Sequence, residues 1–424
     1  MKKFSQASKE ELGVLREELI AEFEKIKENP VKLDMSRGKP GEDQLELSEE
    51  LITCLGPDEY MAGGIDCRNY GGLDGLPEMK KILADILHFK PQQIIVGGNS
   101  SLSMMFDSIA SNMTHGVRQG KPWSKQGDIV FLCPVPGYDR HFAICEYFHI
   151  KMIPIPMNEN GPDMDIVENL VSTNDKVKGI WCVPKYSNPE GIVYSDETVR
   201  RMASLKPAAD DFRIYWDDAY TIHHLYGKTA CILNILDECE KAGNPNMAYV
   251  FASFSKVSFS GASISCIASS ESNAEYIKSR LKIQTIGPDK INQLRHVKFF
   301  KDANGVLAQM DKHAAILRPK FDLIHEVLRR ELAPYGICRW TKPEGGYFIS
   351  FYSEKGCAKK IVERCKQCAL TLTEAGATYP YGNDTDDSNI RIAPSYPSLE
   401  ELKKALHVFC LCVKLVSAEK YLDD

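Results

Sequence analysis

A series of short, fully apolar segments between residues 80 and 270 limits the folds open to this chain more than any other feature. They occur at residues 94–96, 129–132, 180–183, 214–216 and 249–252, and helical patterns separate them. Strands that are apolar throughout, without alternating polar positions, are typical of a parallel sheet that helices cover on both faces. The sequence therefore predicts an α/β fold with a mostly parallel central sheet flanked by helices.

The two ends of the chain carry other patterns. Residues 8–29 predict an amphipathic helix, with Ser8 and Glu11 in a capping-box arrangement and Pro30 after its end. The C-terminal part predicts elements at 306–332 (helix), 346–351 (strand), 358–371 (helix), 389–393 (strand) and 398–417 (helix). Because 424 residues exceed one ordinary core, we predict an N-terminal arm at 1–45, a large domain at 46–312 and a smaller α+β domain at 313–424.

The charge balance and the distribution of cysteines limit the kinds of molecule that this protein is expected to bind. The 52 basic and 58 acidic residues give a net charge of -6, which predicts no surface for nucleic acid or membrane and favours small-molecule substrates. The 14 cysteines are scattered, as is typical of reduced thiols in a cytoplasmic protein. We expect no signal peptide and no membrane anchor.

The pair Cys365 and Cys368 has the spacing of a metal or redox motif. No second cysteine pair or histidine pair lies at zinc-ligand spacing, and the neighbouring residues are apolar at helical positions. We therefore predict a helix with buried thiols and no metal site.

One lysine lies among small hydroxyl residues directly after the apolar run at 249–252. The segment reads S-F-S-K-V-S-F-S-G, with Ser253 at its start and Lys256 as its amine. An amine kept partly dry has a lowered pKa and can attack a carbonyl carbon. An ordinary surface lysine in a serine-rich loop could have the same sequence, so the interpretation of Lys256 as a reactive amine depends on the other motifs.

Polar residues also follow the other apolar runs, where parallel strands would bring them to one edge of the sheet. After residue 96, two glycines precede Asn99, Ser100 and Ser101, which favours a phosphate at a helix N-terminus, although an ordinary capped helix is an alternative. Asp217 and Arg391 lie in apolar surroundings and need charged partners. A helix cap is the alternative for Asp217, and a structural salt bridge is the alternative for Arg391.

In chain order, these segments with N-P-E-G at 188–191 and D-D-A-Y at 217–220 resemble the fold type I pyridoxal-phosphate enzymes, specifically class I/II aminotransferases. The resemblance implies a pyridoxal 5′-phosphate cofactor held by Lys256, which also moves the proton during transamination. The implied cofactor-binding residues are Asn99, Ser100, Ser101, Tyr138, Asn188, Asp217, Tyr220, Ser253, Lys256 and Tyr70.

Within this set, the resemblance gives each group a role. Ser100, Ser101 and Ser253 bind the phosphate, and Asp217 meets the ring nitrogen. Asn188 and Tyr220 bind the phenolic oxygen, whereas Tyr138 stacks on the ring. Tyr70 reaches the phosphate of a neighbouring subunit, which implies a homodimer. The implied substrate-binding residues are Gly38, Asn188, Arg37 and Arg391, with Arg391 on the α-carboxylate.

Three further sequence motifs resemble the MocR-like branch that includes aspartate aminotransferases. They are S-K-x-x-F-x-G-A-x-x-S from residue 255, R-G-K-P at 37–40 and I-G-P-D-K at 286–290. The branch implies aspartate and 2-oxoglutarate as substrates, with Arg37, Lys39 or Arg68 reading the second carboxylate. The chain departs from common aminotransferases at 261–265, where the usual phosphate-binding arginine is missing, and we expect no winged-helix domain.

Two alternatives stay open. The same cofactor chemistry serves β-lyases and decarboxylases, and a regulator that binds the cofactor without catalysis would share the motifs. We interpret His141, His223 and His224 as supporting or structural residues, because no nucleophile accompanies them.

Overall fold

The computed structural model describes residues 2–227 and 229–423. Met1, Lys228 and Asp424 lie outside the described residues, and so do the outermost ends of the predicted arm and small domain. The helices are α1 Lys9–Glu28, α2 Glu42–Glu46, α3 Glu50–Thr53, α4 Pro77–Leu87, α5 Ser101–His115, α6 Asp139–Tyr147, α7 Met164–Thr173, α8 Asp196–Ala203, α9 Ile235–Lys241, α10 Glu271–Gln284, α11 Lys290–Phe300, α12 Ala303–Glu331, α13 Ala358–Gln367 and α14 Leu399–Asp423.

The strands are short. They are β1 Leu33–Asp34, β2 Met61–Ala62, β3 Ile65–Asp66, β4 Ile94–Val96, β5 Val130–Val135, β6 Lys151–Asn158, β7 Gly161–Pro162, β8 Val177–Cys182, β9 Arg213–Asp217, β10 Ala248–Ser253, β11 Ser265–Ala268, β12 Cys338–Trp340, β13 Ile349–Ser353, β14 Leu370–Thr371 and β15 Asn389–Ile392.

An eight-stranded sheet forms the centre of the larger part, in the order β4-β11-β10-β9-β8-β5-β6-β7. The five strands from β10 to β6 run parallel, whereas β11 is antiparallel to both of its neighbours. Every residue of β5, β8 and β9 is buried, because helices cover both faces. The structure thus confirms the predicted mostly parallel sheet, and the fully apolar runs are its strands.

The first helix packs against the last. Ser8 Oγ accepts from the Glu11 backbone N–H at 3.1 Å, and Glu11 accepts from the Ser8 N–H at 2.8 Å, which confirms the predicted capping box. Leu12, Leu19 and Phe23 of α1 are buried in one hydrophobic cluster with residues of α14. A second, three-stranded antiparallel sheet of β12, β13 and β15 belongs to the same cluster.

Three C-terminal elements differ from their predicted bounds. The strand predicted at 346–351 begins at Ile349, because Gly346 has a left-handed φ of 83° that interrupts extended backbone. The helix predicted at 358–371 ends at Gln367, since Ala369 has a φ of 58° and Leu370 then pairs with Leu33. The last helix continues to Asp423.

In the described part of the chain, no helix is long and apolar enough to cross a membrane. All 14 cysteines are free. Cys365 lies in α13 and Cys368 directly follows it, and both thiols are buried, so this pair contributes to packing.

Candidate active site

A cavity of about 560 Å³ lies at the carboxyl ends of the parallel strands, between the central sheet and the C-terminal layer. Most of the predicted site residues line it. They are Arg37, Gly38, Ser100, Ser101, Tyr138, Asn188, Asp217, Tyr220, Ser253, Lys256 and Arg391. Residues that are far apart in the sequence thus meet because their strands end at one edge of the sheet.

Lys256 lies directly after β10, and its amine points into the cavity. Nζ is 5.1 Å from the ring centre of Tyr220 and 5.7 Å from that of Tyr347. The side chain is partly exposed along the open cavity, but removal of the ammonium from water lowers the pKa of Lys256, and Asp217 counteracts only part of this shift. A lowered pKa gives the amine a larger neutral fraction, which is what a nucleophile or proton carrier needs.

Asp217, the last residue of β9, is 3% exposed. Its Oδ2 lies 3.0 Å from His141 Nε2, and the His141 ring stacks on Trp181 at a centroid distance of 4.3 Å. Its Oδ1 is buried and has no hydrogen-bond partner among the described residues. A buried carboxylate oxygen without a partner is costly, so the arrangement suits a cation inside the cavity. The alternative of Asp217 as a helix cap is wrong, because no helix begins there.

The N-terminus of α5 and the loop around Lys256 surround one end of the cavity with hydroxyl groups. Ser100 is the N-cap of α5, and Ser101 is its first residue. Ser253 Oγ lies 3.0 Å from Ser255 Oγ, and Ser260 Oγ donates to the Ser255 carbonyl at 2.7 Å. The helix dipole and these donors together favour a phosphate.

Arg391 lies in β15 and is 7% exposed. Its Nη1 donates to Asp139 Oδ1 at 2.8 Å and to Asn188 Oδ1 at 3.3 Å, while Nη2 donates to Thr373 Oγ1 at 3.3 Å. The salt-bridge alternative is therefore present in the structure, as an ion pair at the cavity wall. Because both Arg391 and Asp139 line the cavity, the guanidinium is held in place while it faces a ligand.

Two aromatic hydroxyls and one glycine shape the rest of the cavity. Burial raises the pKa of Tyr138 to about 12 and holds the pKa of Tyr220 well above its usual value, so both remain neutral hydrogen-bond donors. A Cβ on Gly38 would lie 2.3 Å from the Phe348 ring. Glycine is therefore needed for the chain to pass this ring.

Two predicted residues lie outside the cavity wall. Asn99 is exposed, and its amide donates to the carbonyls of Ser260 and Gly261 at 3.4 and 3.3 Å, so it holds the serine loop instead of facing the cavity. Tyr70 is 79% exposed and does not line the cavity of its own chain.

The sequence analysis missed several residues that line the cavity. Ser255 and Ser260 flank Lys256, and their repeated spacing around the lysine was a usable signal. Asp139, Arg140 and Thr373 were missed because two charged residues at a helix start and a threonine in a loop are ordinary surface features. Arg140 adds a cation beside Tyr138, where it counteracts part of the rise in the pKa of Tyr138.

The described residues fit pyridoxal 5′-phosphate. Asp217 Oδ1 is the unpartnered buried acceptor that a protonated ring nitrogen requires, and the amine of Lys256 lies in the same cavity. The serine hydroxyls and the start of α5 suit the phosphate. When bound, the cofactor supplies an electron sink for negative charge at the substrate's α-carbon.

Known proteins share this architecture and much of this sequence. Residues 7–424 match the family model described as aspartate amino-transferase. An aspartate aminotransferase of Corynebacterium glutamicum is 43% identical over 414 residues, which are 97% of this chain and 96% of that protein.

Two solved structures extend the comparison. A crystal structure of an aspartate transaminase from Corynebacterium glutamicum has a TM-score of 0.96 and 42% identity, and the match covers 99% of both chains. An α-aminoadipate aminotransferase of Thermus thermophilus shares the fold at a TM-score of 0.74 and 16% identity, covering 98% of this chain and 96% of that chain. This chain belongs to the aspartate amino-transferase family, whose enzymes are fold type I aminotransferases with pyridoxal 5′-phosphate as cofactor.

Proposed function

We propose that this enzyme transfers the amino group of aspartate to 2-oxoglutarate, with Lys256 as its catalytic residue. The observation that carries the proposal is one cavity that contains the Lys256 amine, the unpartnered Asp217 oxygen and the Arg391 guanidinium. The 43% identity with an aspartate aminotransferase over nearly the full length supports the choice of substrate.

In this proposal each side chain acts at a stated atom. Arg391 binds the α-carboxylate and so orients the α-carbon, while Asn188 keeps the guanidinium in place. The neutral amine of Lys256 removes the proton from the α-carbon and would deliver it to the C4′ carbon of the cofactor, as its lowered pKa favours. Asp217, supported by His141, stabilises positive charge at the ring nitrogen.

A dicarboxylate substrate requires a second cation. Lys39 also lines the cavity, but its Nζ lies over the Tyr396 ring, 3.7 Å from the ring centre, whereas Arg68 forms an ion pair with Asp66 at 2.8 Å outside the cavity wall. Arg37 and Arg140 line the cavity, and neither guanidinium has a hydrogen-bond or ion-pair partner in the described part of the chain. We infer that either Arg37 or Arg140 binds the distal carboxylate of the substrate.

Paired variants separate these two arginines. We expect either Arg37→Ala or Arg140→Ala to lower kcat/KM for aspartate by about tenfold to 100-fold while leaving alanine turnover nearly constant. Steady-state rates with both amino acids measure the difference. Equal losses for aspartate and alanine in both variants would contradict a distal-carboxylate role for either residue.

We also propose that the enzyme is a cytoplasmic homodimer of the MocR-like branch. Tyr70, Ile283 and Ile286 are exposed by 79, 90 and 61%. The segments that carry them pack together, since Lys290 Nζ donates to the Gly71 carbonyl at 2.8 Å. A shared apolar surface of this kind supports a subunit contact, and 14 free thiols support a reducing compartment.

An amino-acid panel tests the proposed activity. We expect aspartate and 2-oxoglutarate to yield oxaloacetate and glutamate at the highest kcat/KM of the panel. Release of ammonia or carbon dioxide without glutamate would instead indicate a β-lyase or a decarboxylase. A protein that binds the cofactor and turns over none of the amino acids would be the non-catalytic regulator.

A further inference from the structure

A second cavity, of about 430 Å³, lies on the other side of the strand end that carries Asp217. Successive residues of a strand point to opposite faces, so Asp217 faces the first cavity whereas Trp216 and Asp218 face the second. The segment after β8 also reaches both spaces, since Val183 lines the first cavity and Lys185 lines the second. We call this second space the rear cavity.

Two opposite charges are buried in the rear cavity. Lys185 is 6% exposed and Asp218 is 8% exposed. Asp218 Oδ1 is buried without a hydrogen-bond partner among the described residues. Lys185 Nζ likewise forms no hydrogen bond or ion pair with any of them, including Asp218. A direct buried ion pair would satisfy both groups, but this structure does not form one.

Burial changes the protonation of both groups. It raises the pKa of Asp218 to about 6, although Lys185 counteracts part of this rise, and it lowers the pKa of Lys185. Burial thus makes the charged form of each group costly in folding free energy. Buried polar groups without partners are often explained by a ligand or ion that satisfies them.

Much of the remaining wall is apolar, and the rim reaches the surface. The other polar residues of the wall are Asp85, His88, Thr221, Thr229 and Asn234. Trp216, Ile222 and Leu87 form much of the wall, while the exposed Cys231 lies at the rim. His224 is uncharged near neutral pH, since burial lowers its pKa to about 4, and its Nδ1 lies 2.6 Å from the Tyr186 hydroxyl. The volume is within the usual range for small-molecule sites.

We propose that the rear cavity binds a small zwitterion, such as a free amino acid, with its carboxylate on Lys185 and its ammonium on Asp218. The apolar wall around Trp216 would contact the side chain of such a ligand. A simple anion would satisfy Lys185 alone, and a simple cation would satisfy Asp218 alone. The proposed transamination uses neither group, so this binding is separate from the catalytic cycle.

Cys231 provides a reporter at the rim. The holoenzyme is treated with an aromatic disulfide reagent in the presence of each of the common amino acids in turn, with maleate present to compete for the first cavity. At ten times its Kd, a bound amino acid should slow the reaction of Cys231 about tenfold, because only the free site reacts. Cys231→Ser measures the background from the half-buried Cys54 and Cys338.

Charge-removing variants assign the effect to the rear cavity. Asp218→Asn and Lys185→Met should each raise the Kd of the protecting amino acid about tenfold or more. Lys178→Met is the matched control, since Lys178 is also a buried lysine but pairs with Asp211 at 2.8 Å outside the cavity wall. This control should keep the wild-type protection.

Should either single variant fail to fold, the double variant Lys185→Met/Asp218→Asn removes both charges together and leaves no isolated ion. Loss of protection in the double variant supports the proposal. Protection that is equal in the wild type and the double variant overturns it, as does the absence of protection by every amino acid tested on the wild type.

Discussion

The two cavities share one strand end, yet their carboxylates have different surroundings. Asp217 has one oxygen bound to His141 and the other facing a cavity that also contains a lysine amine and an arginine. Asp218 has Lys185 as its nearby cation, without an ion pair, with Thr221 beside it and a largely apolar wall around it. Strand alternation thus creates two buried carboxylates, and the residues around each determine what it can bind.

The strongest difference is the phosphate site. The first cavity includes Ser100 and Ser101 at the start of the 15-residue helix α5, together with the serines around Lys256. The rear cavity has no comparable set of hydroxyls on its described wall. A phosphorylated cofactor therefore favours the first cavity, where the N-terminus of α5 and a cluster of serine hydroxyls lie together.

The largest expected effect distinguishes Lys256, in the first cavity, from Lys178, which is buried outside both cavities. Lys256→Ala should lower the transamination rate by about 1000-fold or more, because proton transfer at the α-carbon loses its carrier. Lys178→Met, which removes a buried lysine elsewhere in the sheet, should change the rate less than about threefold. Single-turnover kinetics with aspartate measure both, and an active Lys256→Ala enzyme would contradict the assigned role.

The neighbouring carboxylates provide the next test. Asp217→Asn should lower kcat about 100-fold, because an amide cannot stabilise positive charge on the ring nitrogen. Asp218→Asn changes the opposite face, and its effect on kcat should be at least tenfold smaller. Comparable losses in the two variants would show that the faces are not functionally separate.

Arg391 tests whether the first cavity recognises a carboxylate. Arg391→Lys keeps the positive charge but loses the planar pair of donors, so kcat/KM for aspartate should fall about 10-fold to 30-fold. The ion pair with Asp139 predicts that Asp139→Asn alters KM more than kcat, because the free guanidinium is then less restrained. If Arg391 had only a structural role, both variants would be less stable, and Asp139→Asn would not change KM more than kcat.

The smallest effect concerns stability. Burial raises the pKa of Asp218 from 3.8 to about 6, against the opposing charge of Lys185 and with a further rise from Asp217. Protonation therefore favours the folded state, and this contribution is complete below the ordinary pKa and is lost as the pH rises through 6. We expect wild type to lose about 1–2 kcal/mol relative to Asp218→Asn between pH 4 and pH 7.

Urea unfolding of both proteins across this pH range measures the difference, with the m-value as a check on the unfolded state. Parallel stability curves for the wild type and Asp218→Asn would contradict a raised pKa in the rear cavity.

Much of the fold could be predicted because strands buried on both faces leave an unmistakable apolar pattern. Residues 214–216 were predicted as a strand, and the structure has β9 at Arg213–Asp217. The capping box of α1 was predictable for a similar reason, since its hydrogen bonds connect residues three apart. The start of β13 near Gly346 and the end of α13 near Ala369 could not be predicted, because left-handed backbone at those positions depends on tertiary contacts.

The candidate site was predictable where a polar residue follows an apolar run, as with Asp217 and Lys256. It was not predictable where a residue acts through another. Asp139 looks like an ordinary acidic residue in the first turn of α6, yet it binds Arg391, which is 252 positions away in the chain. Asp218 and Lys185 show the same limit, because only the three-dimensional structure places them in one cavity.

Borohydride reduction of the purified holoenzyme, followed by peptide mapping, tests the central claim most directly. Reduction fixes the cofactor to the amine that holds it. We predict that one peptide, the one containing Lys256, carries the cofactor's mass. Modification of Lys185 instead, or an unmodified Lys256 in a protein that retains bound cofactor, would contradict the account of the two cavities.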